Sequence, residues 1–247
     1  ILIGLLSLTP LLWFREGTII TGADINFPLD PQGRFAMRLS AWGWATNGGQ
    51  DQSSLFASLV FHGLQAGLAG LGLGLIAVEK IELVVWNALI AFSFFVFIRE
   101  LFGKRWILPA FAATAFWLFN PYRIVMWTET NVAIIAASVA VPGWLTIALR
   151  VARNRLSPLW GGISVGLIAL VASGMGLNPP MLVLAVGAAA LMYAGGLIRW
   201  WQDRAARARW VRFGALAIIW TLIFNSFWIL PFLGTLVSQA QSGGGLG

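Results

Sequence analysis

Apolar runs about as long as a membrane span recur along this 247-residue chain and restrict its fold more than any other feature. A helix needs roughly 20 apolar residues to cross the hydrocarbon core of a bilayer. Hydrophobic residues make up 59% of the chain and charged residues only 10%, whereas a soluble domain carries about 25% charged residues. The sequence therefore predicts an all-α fold, a polytopic membrane helix bundle.

Seven runs qualify as candidate spans. They are residues 1–14, 81–98, 106–127, 131–149, 158–177, 180–198 and 213–234. The first begins inside an apolar run without a basic flank, so we interpret it as the end of a membrane helix rather than a signal peptide. We expect the chain to be the N-terminal part of a longer transmembrane domain. Within it, residues 15–80 form a large loop with interfacial helices and 81–234 the bundle.

The distribution of charge predicts the orientation. Residues 55–77 are apolar enough to cross, but they carry His62, Gln65 and several glycines. If they do not cross, loops 99–105, 150–155 and 199–212 share one side with 11 basic and two acidic residues, a charge of +9. The other side then carries −2, which accounts for the net +7.

Basic loops lie in the cytoplasm in most membrane proteins. This pattern predicts a multi-pass protein of the plasma membrane with loop 15–80 outside the cytoplasm and 55–77 as a re-entrant or interfacial helix. The excess positive charge lies in short loops at helix ends, which argues against nucleic-acid binding. Spans from 131 onward hold no charged residue, which argues against an ion-coupled transporter.

Asp30-Pro31 is a helix start, because Asp caps backbone amides and Pro suits the first helical position. We expect a helix over residues 31–44 with an apolar stripe of Phe35, Leu39 and Trp42. Arg34 and Arg38 lie one turn apart beside that stripe. They could contact lipid headgroups or clamp an anionic lipid-linked substrate, since Arg matches phosphate oxygens bidentately.

Asp24 begins no obvious helix, because Pro28 disfavours a helical conformation at Phe27. Its apolar neighbours would partly desolvate it and make it a better base; the alternative is a turn residue in a loop. Asp51 lies in a Gly-rich turn and is either a solvated loop residue or a substrate contact. His62 is the only histidine, which excludes multi-His metal sites and leaves an interfacial or a substrate-binding role.

Two further outer loops could converge on this one. Arg123 and Glu129 lie in the second, and Asn178 begins the third.

Several short segments occur in an order that resembles the GT-C glycosyltransferases, in particular the membrane domain of cell-wall arabinofuranosyltransferases and their uncharacterised relatives. These segments are GADINFPLDP, AWGW, GGQDQSSLF, FNPYRI, GLNPP and NSFWILPFLG. Together they extend over most of the chain.

The resemblance implies inverting sugar transfer from a polyprenyl-phosphate donor to an extracytoplasmic glycan or glycolipid. Asp24 would be the catalytic base, and Arg34, Arg38 or Arg123 would neutralise the departing phosphate. Substrate contacts would come from these three arginines together with the other candidates, which are Asp51, His62, Glu129 and Asn178.

No cofactor is identified. Many GT-C members have two closely spaced acidic residues, and the resemblance places Asn26 where the second would be. This departure weighs against a metal site, and a divalent metal ion is the one alternative left open. The partners expected are the two substrates, membrane lipids and further membrane subunits. The alternative function is a non-catalytic membrane scaffold or lipid-binding subunit that keeps a GT-C-like fold.

Overall fold

Most of the part that the computed structural model describes, namely residues 2–20, 27–43, 50–120 and 131–243, is helical. The α-helices are α1 (Leu2–Ser7), α2 (Pro31–Arg38), α3 (Leu59–Gly70), α4 (Leu75–Phe102), α5 (Ile107–Phe119), α6 (Val132–Ala152), α7 (Pro158–Val171), α8 (Pro179–Arg199) and α9 (Arg204–Gly243). Short 3-10 helices cover Thr9–Leu12, Ser53–Ser58, Lys104–Trp106 and Ser173–Leu177. Two short strands, β1 (Trp42–Gly43) and β2 (Gln50–Asp51), pair antiparallel. The all-α prediction is confirmed.

Within these described ranges, four helices are long and apolar enough to cross a membrane: α4, α6, α8 and α9 over Arg204–Ser238. The other predicted spans coincide with shorter apolar helices, at Leu2–Leu12, Ile107–Phe119 and Pro158–Val171. The predicted span 158–177 is divided, because α7 ends at Val171 and a 3-10 helix follows. A membrane protein is supported, and the count of seven spans stays a prediction.

Close packing in the bundle depends on small residues. On α7, a Cβ added at Gly162 would lie 2.7 Å from the Leu216 side chain, and one at Gly166 would lie 2.8 Å from the Trp220 backbone. Both contacts are to α9. Glycines four residues apart let two membrane helices approach this closely. By contrast, α8 leaves most of its apolar side chains exposed.

The contacts of α4 separate the two ends of the bundle. Near its C-terminus, Glu100 binds Arg150, Arg153 and Arg155 at the end of α6. The basic loops 99–105 and 150–155 therefore lie together, as the charge pattern predicted. Near its N-terminus, α4 receives a hydrogen bond from α3 through Glu82. Loop 15–80 thus approaches the opposite end of α4.

Several predicted boundaries were wrong. Most of the predicted loop 199–212 is helical, because α9 begins at Arg204. The helix expected over 31–44 ends at Arg38, and Trp42 belongs to a strand instead. The Ser40 hydroxyl bonds to both the N–H and the carbonyl of Trp42, a local side-chain contact that competes with helix continuation. Helix α4 begins at Leu75, inside the predicted loop 15–80, because Glu79 and Glu82 are buried against neighbouring elements and do not end it.

Candidate functional site at the loop end of the bundle

Helix α2 begins as predicted, and it lies along α3. Asp30 caps it, with Oδ1 accepting a hydrogen bond from the Gly33 amide at 2.9 Å. The Phe35 ring lies 3.4 Å from the position of a Cβ on Gly63, and the Gln32 amide lies 3.2 Å from that of Gly70. The two helices therefore run antiparallel and in contact.

The predicted arginine pair lies on α2, one turn apart. Arg34 and Arg38 are both half-buried. Burial, followed by repulsion from Arg34, lowers the pKa of Arg38. The Arg38 Nε atom is buried, and nothing in the described ranges accepts a hydrogen bond from it. This guanidinium is therefore incompletely satisfied by the described protein groups.

His62 on α3 is buried and forms part of a chain of side-chain hydrogen bonds. Its Nδ1 lies 2.8 Å from Gln65 Oε1. The Gln65 amide nitrogen in turn donates to both oxygens of Glu82, at 2.8 and 3.0 Å. Since an amide oxygen only accepts, His62 Nδ1 must donate, and neutral His62 keeps the lone pair on Nε2.

The electrostatic surroundings keep His62 neutral. Burial lowers its pKa to about 4, against the opposing effect of the Gln65 hydrogen bond. The charges of Arg38 and Arg34 lower this pKa further, which places both arginines within electrostatic range of the ring. At neutral pH the imidazole can accept a hydrogen bond at Nε2 but carries no charge of its own.

A second carboxylate of α4 holds the incoming chain. Both oxygens of Glu79 lie 3.0 Å from the backbone nitrogen of Ile20, which donates to them. Ile20 precedes Asp24 by four residues in the sequence. The described chain resumes at Phe27 and Pro28, which are buried. The described residues on either side of 21–26 are therefore held by a hydrogen bond at Ile20 and by burial at Phe27 and Pro28.

Asp51 lies apart from this group, against α9. Its Oδ2 accepts a hydrogen bond from the Thr235 hydroxyl at 2.5 Å, and its Oδ1 accepts one from the Ser53 amide at 2.7 Å. These bonds, the Thr235 bond foremost, lower the pKa of Asp51. Asp51 therefore stays ionised and joins the loop to the far part of α9.

The structure brings together three of the predicted substrate residues: Arg34, Arg38 and His62. Asn178 caps α8 by accepting a hydrogen bond from the Met181 amide at 3.3 Å, and its substrate role stays a prediction. Three predicted residues lie outside the described ranges: Asp24, Arg123 and Glu129.

Three residues at this end of the bundle were not predicted from the sequence, namely Gln65, Glu79 and Glu82. The signal that could have found the two carboxyl groups is their spacing. Glu79 and Glu82 are three residues apart near the start of an apolar helix, which places them on the same helical face. Ionisable residues inside apolar helices deserve a functional hypothesis by default. Gln65, the hydrogen-bond partner of Glu82, likewise lies three residues after His62.

Among residues 2–20, 27–43, 50–120 and 131–243, no group of three or more His, Asp or Glu side chains could hold a metal ion. Comparisons with protein-family models, with curated proteins and with solved structures found no match for this chain.

Proposed function

We propose that the chain belongs to a membrane glycosyltransferase that moves a sugar from a polyprenyl-phosphate donor to an extracytoplasmic glycan or glycolipid, with inversion. The observation that carries the proposal is the arrangement of Arg34 and Arg38 beside buried, neutral His62. It offers two cations and a hydrogen-bond acceptor at the loop end of an apolar bundle.

The arginines suit the phosphate that leaves when the sugar is transferred. Negative charge develops on the phosphate oxygens as the glycosidic bond breaks, and fixed guanidinium groups stabilise it. The unsatisfied Arg38 Nε supports this role, because a buried donor without an acceptor is costly unless a ligand supplies one. Apolar side chains of α4 and α5 would border the polyprenyl tail.

Asp24 is the proposed general base. It would take the proton from the acceptor hydroxyl as that oxygen attacks the anomeric carbon and the lipid phosphate departs from the opposite face. Neutral His62 would orient a substrate hydroxyl through Nε2 rather than remove its proton, since a base with a pKa of about 4 is weak.

The test is transfer by the full-length protein in nanodiscs, with a radiolabelled polyprenyl-phosphate sugar as donor. Asp24→Asn should abolish turnover while donor binding persists. Arg38→Ala should weaken donor binding about tenfold or more, which corresponds to one lost charge-assisted contact of about 1.5–3 kcal/mol.

Asp30→Asn is the matched control, because Asn also caps helices well. It should retain transfer. Full turnover by Asp24→Asn would disprove the assigned base. Donor binding by the wild type without any transfer would favour the alternative, a lipid-binding subunit that kept the fold and not the chemistry.

A further inference from the structure

A shallow cavity of about 390 Å³ lies between the β1–β2 pair and α9, apart from the arginine site. The wall from the loop includes Trp42, Asp51 and Ser53, and the wall from α9 includes Pro231, Gly234 and Thr235. We propose that this cavity binds a neutral sugar ring of the acceptor glycan. The proposal rests on the proposed function and assigns the acceptor to this place.

The strand register sets an aromatic ring and a carboxylate side by side. Trp42 pairs directly with Asp51 across the two strands, so their side chains leave the same face of the pair at neighbouring positions. The Trp42 side chain is large and flat, and the residue is 45% exposed. Such a ring buries the C–H face of a sugar while its neighbours bind the hydroxyl edge.

The polar groups of the cavity are connected and fixed. Thr235 Oγ1 lies 2.5 Å from Asp51 Oδ2 and 2.6 Å from Ser53 Oγ. Each carboxylate oxygen already accepts one bond and retains a lone pair for another. Asp51 thus offers two fixed acceptors, because each carboxylate oxygen can receive one sugar hydroxyl.

Gly234 provides the space. A Cβ built at this residue meets nothing within 4 Å, so the helix surface beneath the cavity is open. An apolar cavity with a few convergent polar groups is the usual form of a small-ligand site.

Connectivity places the cavity near the arginine site. Ser53 begins the 3-10 helix that leads straight into α3 and His62. Helical rise over those nine steps is about 16 Å. A glycan chain bound at the cavity can therefore extend toward the site where the donor phosphate is proposed to bind.

The test measures sugar binding rather than transfer, with the full chain in nanodiscs. The probe is a panel of methyl glycosides of pentose and hexose disaccharides, followed by saturation-transfer NMR and calorimetric titration. We expect saturable binding of at least one disaccharide. Trp42→Ala and Gly234→Phe should each weaken it about tenfold or more, and Asp51→Asn about fivefold, as expected for the loss of a stacking or hydrogen-bonding contact.

Three controls keep the test decisive. Trp160→Ala removes an exposed Trp on α7, and Gly187→Phe fills open space on α8 in the same way as Gly234→Phe; both should bind as the wild type. Trp42→Phe keeps an aromatic face and should bind within about threefold of wild type, which separates lost stacking from misfolding.

Absence of saturable binding across the panel would overturn the assignment, as would unchanged binding in Trp42→Ala and Gly234→Phe. Calcium binding that depends on Asp51, without sugar binding, would also overturn it. Transfer by Asp24→Asn is the separate test of the proposed base. If that variant still transfers sugar, the proposed base fails while the acceptor cavity stands.

Discussion

Helix α4 carries a buried carboxyl group near each end, and their surroundings are opposite. Glu100 contacts three arginines, with Arg155 Nη1 at 2.8 Å and Arg150 and Arg153 at 3.4 Å. Glu82 is 1% exposed, and its hydrogen-bond partner in the described ranges is the neutral amide of Gln65. Glu100 therefore connects α4 to the end of α6 through ion pairs. Glu82 is the last member of a hydrogen-bond chain that leads through Gln65 to His62.

This comparison distinguishes charged groups that bind one another from charged groups that can still bind a ligand. At the Glu100 end, Arg153 also donates to the backbone carbonyls of Glu100 and Leu101, which satisfies the end of α4. These groups are bound to one another. At the Glu82 end, the cations Arg34 and Arg38 are on a separate helix, and no group in the described part of the chain accepts a hydrogen bond from Arg38 Nε. That end has binding capacity left for a ligand.

The largest effect of a substitution on stability at neutral pH is expected from Glu100→Ala. The substitution leaves three arginines without the carboxylate that they share. It also removes the ion pairs that connect α4 to the end of α6. Loss of a buried partner costs about 3–5 kcal/mol, but these arginine side chains are 37–62% exposed. We therefore expect a loss of about 2–3 kcal/mol, measured by SDS unfolding in mixed micelles.

Glu16→Ala is the control for this prediction, since Glu16 is an exposed carboxylate of loop 15–80. It should change the free energy of unfolding by less than about 0.5 kcal/mol. If Glu100→Ala is equally mild, the arginine cluster is a solvated surface feature and the contrast between the two ends of α4 disappears.

The next prediction is a pH dependence of the free energy of unfolding, caused by His62 near the N-terminal end of α4. The folded pKa of His62 is about 4, below its ordinary value of 6.5. Between these values the unfolded chain binds more protons, so stability falls as pH drops from about 6.5 to about 4 and is fully present above 6.5. Protonating His62 completely in the folded protein would lower the free energy of unfolding by about 3 kcal/mol.

The measurement is the pH dependence of unfolding in wild type and in His62→Gln. The charges of Arg34 and Arg38 act on His62 from α2, Glu82 on α4 is linked to it through Gln65, and other carboxylates titrate in the same range. Only the difference between the two proteins therefore reports His62. Parallel stability curves from pH 7.5 to 4 would show that the imidazole is not buried in solution.

Several elements could be predicted because their cause is local. The cap at Asp30 and the helix start at Pro31 follow from two adjacent residues. The apolar helices α4, α6, α8 and α9 follow from long uniform runs.

What could not be predicted depends on contacts between distant segments. The hydrogen-bond chain joins residues 17 positions apart, Gln65 and Glu82, and the Asp51–Thr235 bond joins residues 184 apart. In the sequence, Glu79 and Glu82 contributed to the charge of an outer loop. Only the packing of α3 on α4 shows that Glu82 faces the interior.

A smaller effect is expected from Asp30→Ala. Loss of an N-cap costs about 1 kcal/mol, and α2 has only eight residues, so its first turn should fray. Arg34 would then be held less firmly than Arg38. We expect weaker binding of a polyprenyl phosphate, by about threefold to fivefold, with Asp30→Asn close to wild type. Equal donor affinity in all three proteins would show that α2 does not position the arginines.

The smallest change in stability is expected from Glu82→Gln, although the residue is almost fully buried. The two side chains have nearly the same shape, and no described ion pair involves Glu82, so no salt bridge is broken. The new amide still offers an oxygen to Gln65. The free energy of unfolding should change by less than about 1 kcal/mol, against about 2–3 kcal/mol for Glu100→Ala.

Transfer should fall more than stability does, because an amide in place of Glu82 can turn Gln65 and thereby alter which nitrogen of His62 carries the proton. A shift in the pH profile of transfer, with unfolding unchanged, would identify Glu82 as a positioning residue. A loss of stability as large as that of Glu100→Ala, with an unaltered pH profile, would make both ends of α4 structural.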